Sequence, residues 1–283
     1  MAKILEIRPL TPVTKLYRVE APLVAAAAKP GQFVIVRARE GGERIPLTIA
    51  DYDRDAGTLT IVIQEVGATT RFIGSLAVGD EILDLVGPLG MAVEPPESGH
   101  VVGIGGGFGA AALLCMMREF TALGLETTSI VGARNKELLI LTDELAAACN
   151  NVELCTDDGS AGHKGFVTER LAQLIDGDPP GKPDIVIAIG PMAMMRAVAS
   201  TTEGTGIPTL VSMDPLMVDG TGMCGGCRVT VDNEVKFACV DGPLFDAHLV
   251  DFNEAMRRNK MYFRQEQRST EREACLRRAA GQD

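Results

Sequence analysis

The segment that decides the fold reads His100-Val-Val-Gly-Ile-Gly-Gly-Gly-Phe-Gly109. An apolar run of strand length leads into a glycine-rich turn, and a stretch rich in Ala, Leu and Met follows from Ala110 to about Leu123, with the composition of a helix. Glycines at such a junction let an anion approach the backbone, where helical N–H groups and the helix dipole attract negative charge. The match to G-x-G-x-x-G is partial, because Ala110 stands at the last position, where Ala is an accepted alternative. A turn that only packs a strand tightly against a helix is the competing interpretation.

Strand-like and helix-like segments alternate downstream of this turn. The strand-like segments are Thr127 to Val131, Val152 to Thr156, Asp184 to Ile189 and Thr209 to Ser212, and the helix-like segments are Lys136 to Ala148, Thr168 to Ile175 and Met192 to Ala199. This alternation predicts a doubly wound parallel sheet.

Polar and glycine-rich turns follow several of these predicted strands. Gly190-Pro191-Met192 again joins a strand to a helix, and the carboxyl ends of parallel strands meet at one crevice, so two such turns favour a nucleotide there. Arg134 ends the second strand, where it could meet a ribose phosphate or pair with a carboxylate. NAD versus NADP therefore stays open. Asp157-Asp158-Gly159-Ser160 follows the third strand, and a solvated polar turn is its simpler interpretation.

Residues from Ile4 to about Pro96 show short apolar runs separated by turn residues, which predicts an antiparallel barrel or sandwich. Three segments stand out there: Arg44-Ile45-Pro46-Leu47-Thr48, Gly67-Ala68-Thr69-Thr70 and Gly87-Pro88-Leu89-Gly90. An Arg beside hydroxyl groups and exposed amides suits a pyrophosphate. Without a template, each segment is more simply a hairpin turn. The pattern of short apolar runs ends at Glu94-Pro95-Pro96, so we place a domain boundary near Gly99. We expect domains over 1–98, 99–213 and 214–283.

The cysteine loop Asp219-Gly-Thr-Gly-Met-Cys224-Gly-Gly-Cys227, with Cys239 further on, carries the most specific pattern. It matches the plant-type iron–sulfur spacing C-x4-C-x2-C…C, except that Asp219 stands at the first position. A carboxylate can ligate iron, although it is a harder donor than a thiolate. A zinc site and a reactive dithiol are the alternatives, but the second Cys-x2-Cys of structural zinc sites is missing. Cys115, Cys149, Cys155 and Cys275 are expected to be buried apolar residues.

Composition excludes several classes of protein. The chain has 283 residues, 46% of them hydrophobic, and a net charge of −11 that disfavours nucleic acid and membrane surfaces. No apolar run approaches the ~20 residues that a membrane span needs. The N-terminus Met1-Ala2-Lys3-Ile4-Leu5 lacks an export pattern, so we expect a cytoplasmic protein. No nucleophile–base triad or His cluster is evident, and we predict no catalytic side chain.

Together, the Arg-x-Pro-Leu-Thr barrel, the Gly-Gly-Gly-x-Gly domain and the terminal cysteine loop resemble the ferredoxin–NADP reductase superfamily. Within it, the order resembles the electron-transfer subunit of dihydroorotate dehydrogenase. It is closer still to the small subunit of NADH-dependent reduced ferredoxin:NADP oxidoreductase. The resemblance implies an antiparallel FAD-binding β-barrel, a doubly wound nucleotide domain, and a small C-terminal iron–sulfur loop domain with a helical tail.

The resemblance also implies site residues. FAD would lie on Arg44, Pro46, Leu47 and Thr48, with its pyrophosphate at Gly67, Thr69 and Thr70. NAD(P)H would lie on Gly105, Gly106, Gly107, Gly109, Arg134, Asp157, Asp158, Gly190, Pro191 and Met192. A [2Fe–2S] cluster would be held by Asp219, Cys224, Cys227 and Cys239.

The resulting hypothesis is a converter between two-electron and one-electron steps. A hydride donor and an iron–sulfur cluster exchange different numbers of electrons, so a flavin must stand between them. We expect a larger flavin and iron–sulfur subunit as the partner in a heterodimer, with ferredoxin reached through it. Two rivals are the dihydroorotate dehydrogenase subunit, where Cys is expected at position 219, and a non-enzymatic, zinc-stabilised nucleotide-binding module.

Overall fold

The computed structural model describes the backbone of residues 1–279 and the side chains of residues 1–272. The first half of the chain forms seven antiparallel strands and two short helices. The strands are β1 (Ala2–Thr11), β2 (Thr14–Glu20), β3 (Phe33–Arg37), β4 (Arg44–Asp53), β5 (Thr58–Gln64), β6 (Glu81–Ile82) and β7 (Asp84–Leu89), and the helices are α1 (Pro22–Ala27) and α2 (Ala68–Gly74).

These strands form the predicted antiparallel barrel. The strand order is β6-β1-β2-β5-β4-β3-β7, and the two edge strands are joined by Leu83 alone, so the sheet curls into a nearly closed barrel. Side chains alternate along each strand: Val34 and Val36 of β3 face the interior, while Ile35 between them packs outward into another cluster. Tyr17 is fully buried inside, and its hydroxyl donates a hydrogen bond to Ile73 O at 3.3 Å.

The second half of the chain alternates strands and helices before it ends in two helices. Its strands are β8 (His100–Gly106), β9 (Glu126–Ala133), β10 (Asn151–Thr156), β11 (His163–Lys164), β12 (Ile185–Ile189), β13 (Thr209–Ser212), β14 (Arg228–Val231), β15 (Glu234–Phe237) and β16 (Leu244–Asp246). Its helices are α3 (Ala110–Ala122), α4 (Thr142–Ala148), α5 (Val167–Ile175), α6 (Met192–Thr202), α7 (Phe252–Arg258) and α8 (Phe263–Ala279).

The predicted doubly wound sheet is present in the order β11-β10-β9-β8-β12-β13-β16. All of its pairs are parallel except the last, in which β16 runs antiparallel to β13. Apolar clusters cover both faces of the sheet, as a parallel sheet requires. The strand β16 comes from beyond residue 213, so the C-terminal segment contributes to the nucleotide sheet as well as to the cysteine loop.

The barrel and the parallel sheet meet through α3 and β4. Cys115 Sγ donates a hydrogen bond to Ile49 O at 3.4 Å, and Arg118 forms an ion pair with Asp51. Cys115, Cys149 and Cys155 are buried as predicted, and burial raises the pKa of each thiol. The side chain of Cys275 lies outside the described residues.

The predicted helical tail is present as two helices, which are interrupted at residues 259–262. The residues after 279 lie outside the described part of the chain. Within residues 1–279, no helix is both long and apolar enough to cross a membrane.

Candidate functional site

The two glycine turns of the parallel sheet meet at one point. Numbered from β8 along the chain, the principal strands lie in the order 3-2-1-4-5, so the order reverses between the neighbouring strands β8 and β12. Ligands of doubly wound sheets bind at such a reversal, outside the carboxyl ends of the strands. A Cβ atom at Gly190 would lie 3.0 Å from Gly106 Cα, so the two turns are in contact there.

The glycines of the first turn divide into two groups. A Cβ atom would lie 2.7 Å from Ala110 Cα at Gly105 and 2.1 Å from Ile189 O at Gly109, so these positions require glycine for packing. At Gly106 the nearest atom would be Met194 Sδ, at 2.4 Å. Gly107, with φ of +53°, has nothing within 4 Å of its would-be Cβ atom and faces open space. In this one turn, Gly105 and Gly109 allow close packing, and Gly107 leaves room for a ligand to approach the backbone.

A cavity of about 410 Å³ extends from this turn along the sheet edge. It is lined by Gly106, Gly107, Arg134, Asp157 and Pro191, together with Phe108, Gln64 and Met194, which the sequence had not singled out. Asp157 and Asp158 reach this edge because their N–H groups donate to Ala133 O at 3.2 Å and Arg134 O at 3.3 Å.

Five of the ten predicted nucleotide residues do not line this cavity: Gly105, Gly109 and Gly190 lie in the two glycine turns, and the side chains of Asp158 and Met192 make other contacts. The exposed carboxylate of Asp158 accepts a hydrogen bond from Ser160 N at 2.9 Å, and the hydrogen bonds of Ser160 lower the pKa of Asp158. Met192 packs against the apolar cluster on one face of the sheet. Its neighbour Met194 lines the cavity instead, because side chains two positions apart on α6 point in different directions.

A second cavity of about 420 Å³ lies between the barrel and the parallel sheet. Thr48, Val62 and Gln64 of the barrel form one wall, and Gly106 to Gly109 and Gly190 to Pro191 form the other. The two cavities share Gln64, Phe108 and Pro191, so they are continuous. Among the described residues that line this second cavity, Asp214 is the one that can ionise, and it is exposed to solvent.

The four predicted flavin residues on β4 lie in different surroundings. Thr48 lines the second cavity, whereas Leu47 is 7% exposed and packs inside the barrel. Pro46 is partly buried and pairs with Ile35 of β3. Arg44 lines a separate small cavity beside Asp219.

The Gly67-Ala68-Thr69-Thr70 segment forms the start of α2. Thr70 Oγ1 accepts hydrogen bonds from Val66 N and Gly67 N, both at 3.0 Å, and so fixes the turn. Thr69 Oγ1 donates to Glu43 Oε2 at 2.8 Å. This turn lines a cavity of about 610 Å³ whose other side is formed by α8, and Ser269 Oγ of α8 donates to Glu43 Oε1 at 3.3 Å.

The cysteine loop brings its four predicted ligands together as two pairs. Cys224 Sγ donates to Asp219 Oδ1 at 2.9 Å, and Cys227 Sγ lies 3.2 Å from Cys239 Sγ. The hairpin β14–β15 makes the second pair, because Cys227 precedes β14 and Cys239 follows β15, with Ala238 N donating to Cys227 O at 3.0 Å.

Backbone and hydroxyl donors surround the Asp219 carboxylate. Thr221 Oγ1 and Met223 N donate to its Oδ2 atom at 2.8 and 2.9 Å. These hydrogen bonds, with that of the Cys224 thiol the strongest, hold the pKa of Asp219 well below its usual range. Burial and the neighbouring Cys227 raise the pKa of Cys239 to about 12.

This donor set fits a two-iron cluster. Within the described part of the chain, no three His, Cys, Asp or Glu side chains converge on one point, as they would around a single zinc ion. A [2Fe–2S] cluster instead takes two protein ligands on each iron, which two pairs of side chains supply.

The comparisons with known proteins agree with this geometry. Residues 214–251 match the iron–sulfur cluster binding domain of dihydroorotate dehydrogenase B. A Thermotoga maritima protein, named a homologue of the dihydroorotate dehydrogenase B (NAD(+)) electron transfer subunit, is 45% identical over 90% of this chain and 89% of its own length. The electron transfer subunit of Desulforamulus reducens is 31% identical over 86% of this chain and 95% of its own length.

A solved structure matches the whole architecture. A chain of the NADH-dependent reduced ferredoxin–NADP oxidoreductase, described for its flavin-based electron bifurcation, superposes with a TM-score of 0.90 and 41% identity. The match covers 96% of this chain and 97% of that one. This chain therefore belongs to the family of dihydroorotate dehydrogenase B electron-transfer subunits and their homologues.

Proposed function

We propose that this chain is an electron-transfer subunit that carries electrons between NAD(P)H and a partner flavoprotein through FAD and a [2Fe–2S] cluster. The observation that carries the proposal is the continuity of its sites. The crevice cavity opens into the cavity against β4, and the outer face of β4 leads from Thr48 to Arg44 beside Asp219. Four residue steps along the strand separate Thr48 from Arg44, a distance of ~13 Å.

In this proposal, the crevice binds the dinucleotide. The exposed amides around Gly107 suit the pyrophosphate of the dinucleotide, and Arg134 and Asp157 lie where they would contact its ribose. The cavity between barrel and sheet is closed on one side by the α3–β4 contact. Thr48 and Gly190 line it from opposite walls, so it would bring a flavin ring and a nicotinamide ring together.

The barrel binds the remainder of FAD. The turn at Gly67 and Thr69 begins α2 and lines the cavity that α8 covers, and we propose that it holds the pyrophosphate. We propose Arg44, Pro46 and Leu47 as its further neighbours, Leu47 through its backbone because its side chain packs inside the barrel.

Asp219 and Cys224 would hold one iron, and Cys227 and Cys239 the other. When bound, FAD and the cluster supply the exchange between hydride and single electrons. The chain itself orients the rings, excludes water and keeps the loop amides directed at the ligands, which sets the potential.

The similarity to the NADH-dependent reduced ferredoxin–NADP oxidoreductase chain supports a heterodimer with a larger flavin and iron–sulfur subunit, and ferredoxin as a reactant of that partner. The thiols described as free fit a reducing compartment, and we place the protein in the cytoplasm. The names of the curated relatives favour a second candidate, the electron-transfer subunit of a dihydroorotate dehydrogenase.

Purification of the native complex tests the proposal. We expect this chain to carry FAD, two irons and two sulfides, and to be reduced by NADH or NADPH. A complex that oxidises dihydroorotate would support the second candidate instead. A colourless chain that holds one zinc ion would contradict both.

A further inference from the structure

The helix α8 lies over the barrel without packing closely against it. Of its described side chains, only Ser269 and Thr270 are half-buried, and the others are exposed. Ser269 Oγ reaches Glu43 Oε1 of the barrel at 3.3 Å, and Glu43 also accepts a hydrogen bond from Thr69. Helices in folded proteins are held mainly by the packing of an apolar face. The described contacts of α8 with the barrel therefore do not account for its position.

The space between α8 and the barrel has the size and lining of a ligand site. Its volume of about 610 Å³ lies within the ~300–1,000 Å³ of typical sites for small molecules. Its apolar lining consists of Phe263 from α8 and of Ile45 and Val66 from the barrel. Phe263 is 55% exposed, so much of its ring can contact a ligand in this space.

The charges along this cavity distinguish its two sides. On the side of α8, the polar lining includes Glu266, Gln267 and Glu271. Carboxylates repel a phosphate group, but they accept hydrogen bonds from amino and hydroxyl groups. The turn at residues 67–70, which we propose for the pyrophosphate, lines the cavity from the barrel. The side of α8 therefore suits the uncharged adenosine end of the same cofactor.

We propose that α8 covers the adenosine end of FAD, with Phe263 against the adenine ring, and that this contact holds the helix over the barrel. The match to the iron–sulfur domain ends at residue 251, before α8 begins. Adenine takes no part in hydride or electron transfer, so α8 determines how tightly FAD is held. This inference rests on the proposed function, since it requires the barrel to bind FAD.

Titration of the flavin-free full chain with FAD and with FMN, followed by flavin fluorescence, tests the proposal, because FMN lacks the adenosine end. We expect Phe263→Ala to weaken FAD binding about tenfold, as the loss of a base–aromatic stack does, and to leave FMN binding unchanged. Phe263→Trp should keep the wild-type affinity for FAD. Tyr262→Ala is the matched control, because Tyr262 is a neighbouring aromatic residue, 45% exposed, that does not line this cavity.

Amide hydrogen exchange of α8 in the wild-type chain gives a second readout. We expect FAD to slow exchange in α8 and FMN to leave it unchanged. Equal FAD affinity in wild type and Phe263→Ala, an equal loss of FAD and FMN affinity in that variant, or exchange in α8 that FAD does not slow would overturn the proposal. A wild-type chain that binds neither FAD nor FMN would instead overturn the proposed function.

Discussion

Asp219 occupies a position where the plant-type spacing has cysteine, and its surroundings are built for a carboxylate. One oxygen accepts a hydrogen bond from the Cys224 thiol, and the other accepts from Thr221 and Met223. A thiolate has one acceptor atom and would leave part of this set unused. The loop therefore holds a carboxylate oxygen beside a cysteine sulfur, as a mixed ligand pair requires.

Replacing this carboxylate tests its role as a ligand. We expect Asp219→Ala to lose most of its iron and sulfide while it retains FAD, because the flavin residues lie on the barrel. Asp219→Cys should keep a cluster. Thr221→Ala is the control, since it removes one hydrogen bond to the carboxylate but no ligand. Iron, sulfide and flavin per chain decide the matter, and unchanged iron in Asp219→Ala would remove Asp219 from the ligand set.

Gly107 and Gly109 offer a matched pair in the nucleotide turn. At Gly109 a Cβ atom would overlap Ile189 O, so Gly109→Ala should destabilise the fold, typically by ~1–3 kcal/mol for an overpacked site.

At Gly107 the added methyl group meets open space and costs only the ~1–2 kcal/mol of a left-handed residue, but it enters the ligand cavity. Gly107→Ala should therefore weaken dinucleotide binding at least tenfold. Denaturant unfolding and nucleotide titration measure the two effects, and equal dinucleotide affinity in wild type and Gly107→Ala would contradict the site.

At the scale of elements, the contact between α3 and β4 fixes the two sheets relative to each other. Arg118 pairs with Asp51, Tyr52 donates a hydrogen bond to Glu119, and the Cys115 thiol meets Ile49 O. Burial raises the pKa of Asp51, while the Arg118 guanidinium opposes that rise. The pair therefore keeps a half-buried carboxylate charged where the barrel joins the sheet.

Removal of Arg118 should have a pH-dependent cost. Arg118 is 40% exposed, so we expect Arg118→Ala to lower the free energy of unfolding by only about 1–2 kcal/mol at pH 7. A carboxyl whose folded pKa is raised gains stability as the pH falls through that pKa toward the unfolded value of about 3.9. The loss in Arg118→Ala should therefore be smaller at pH 5 than at pH 7.

Urea unfolding at the two pH values measures this difference. Arg18→Ala is the control, because its exposed pair with Glu6 is expected to contribute less than about 1 kcal/mol. A deficit of Arg118→Ala that grows toward pH 5 would contradict the role assigned to Asp51.

The elements that the sequence predicted are those with strong local patterns. The run from His100 predicted β8 and its turn, because apolar periodicity and glycine spacing are local signals. The three-residue strand β16 has no such signal, since its place is set by pairing with β13, more than thirty residues earlier in the chain. The sequence also did not predict which way some side chains point. Leu47 faces the barrel interior, and Met194 lines the cavity where Met192 was expected.

At the scale of the whole molecule, the three proposed sites follow one another: the two cavities share lining residues, and the cysteine loop lies beside the far end of β4. The strand order of the parallel sheet positions the crevice, and the α3–β4 contact positions the second cavity. The cysteine loop packs on the outer face of the barrel. The cysteine spacing indicated a cluster, but that spacing could not place the loop beside Arg44, because this contact joins residues far apart in the sequence.

One spectroscopic experiment tests most directly whether paired electrons from a dinucleotide leave this chain singly. The isolated chain, reconstituted anaerobically with FAD, iron and sulfide, is mixed with NADH or NADPH, and both the flavin absorbance and the EPR spectrum are recorded. We expect the flavin absorbance to bleach and the EPR signal of a reduced [2Fe–2S] cluster to appear. A flavin that bleaches while the cluster stays oxidised, or a chain that takes up no sulfide, would contradict it.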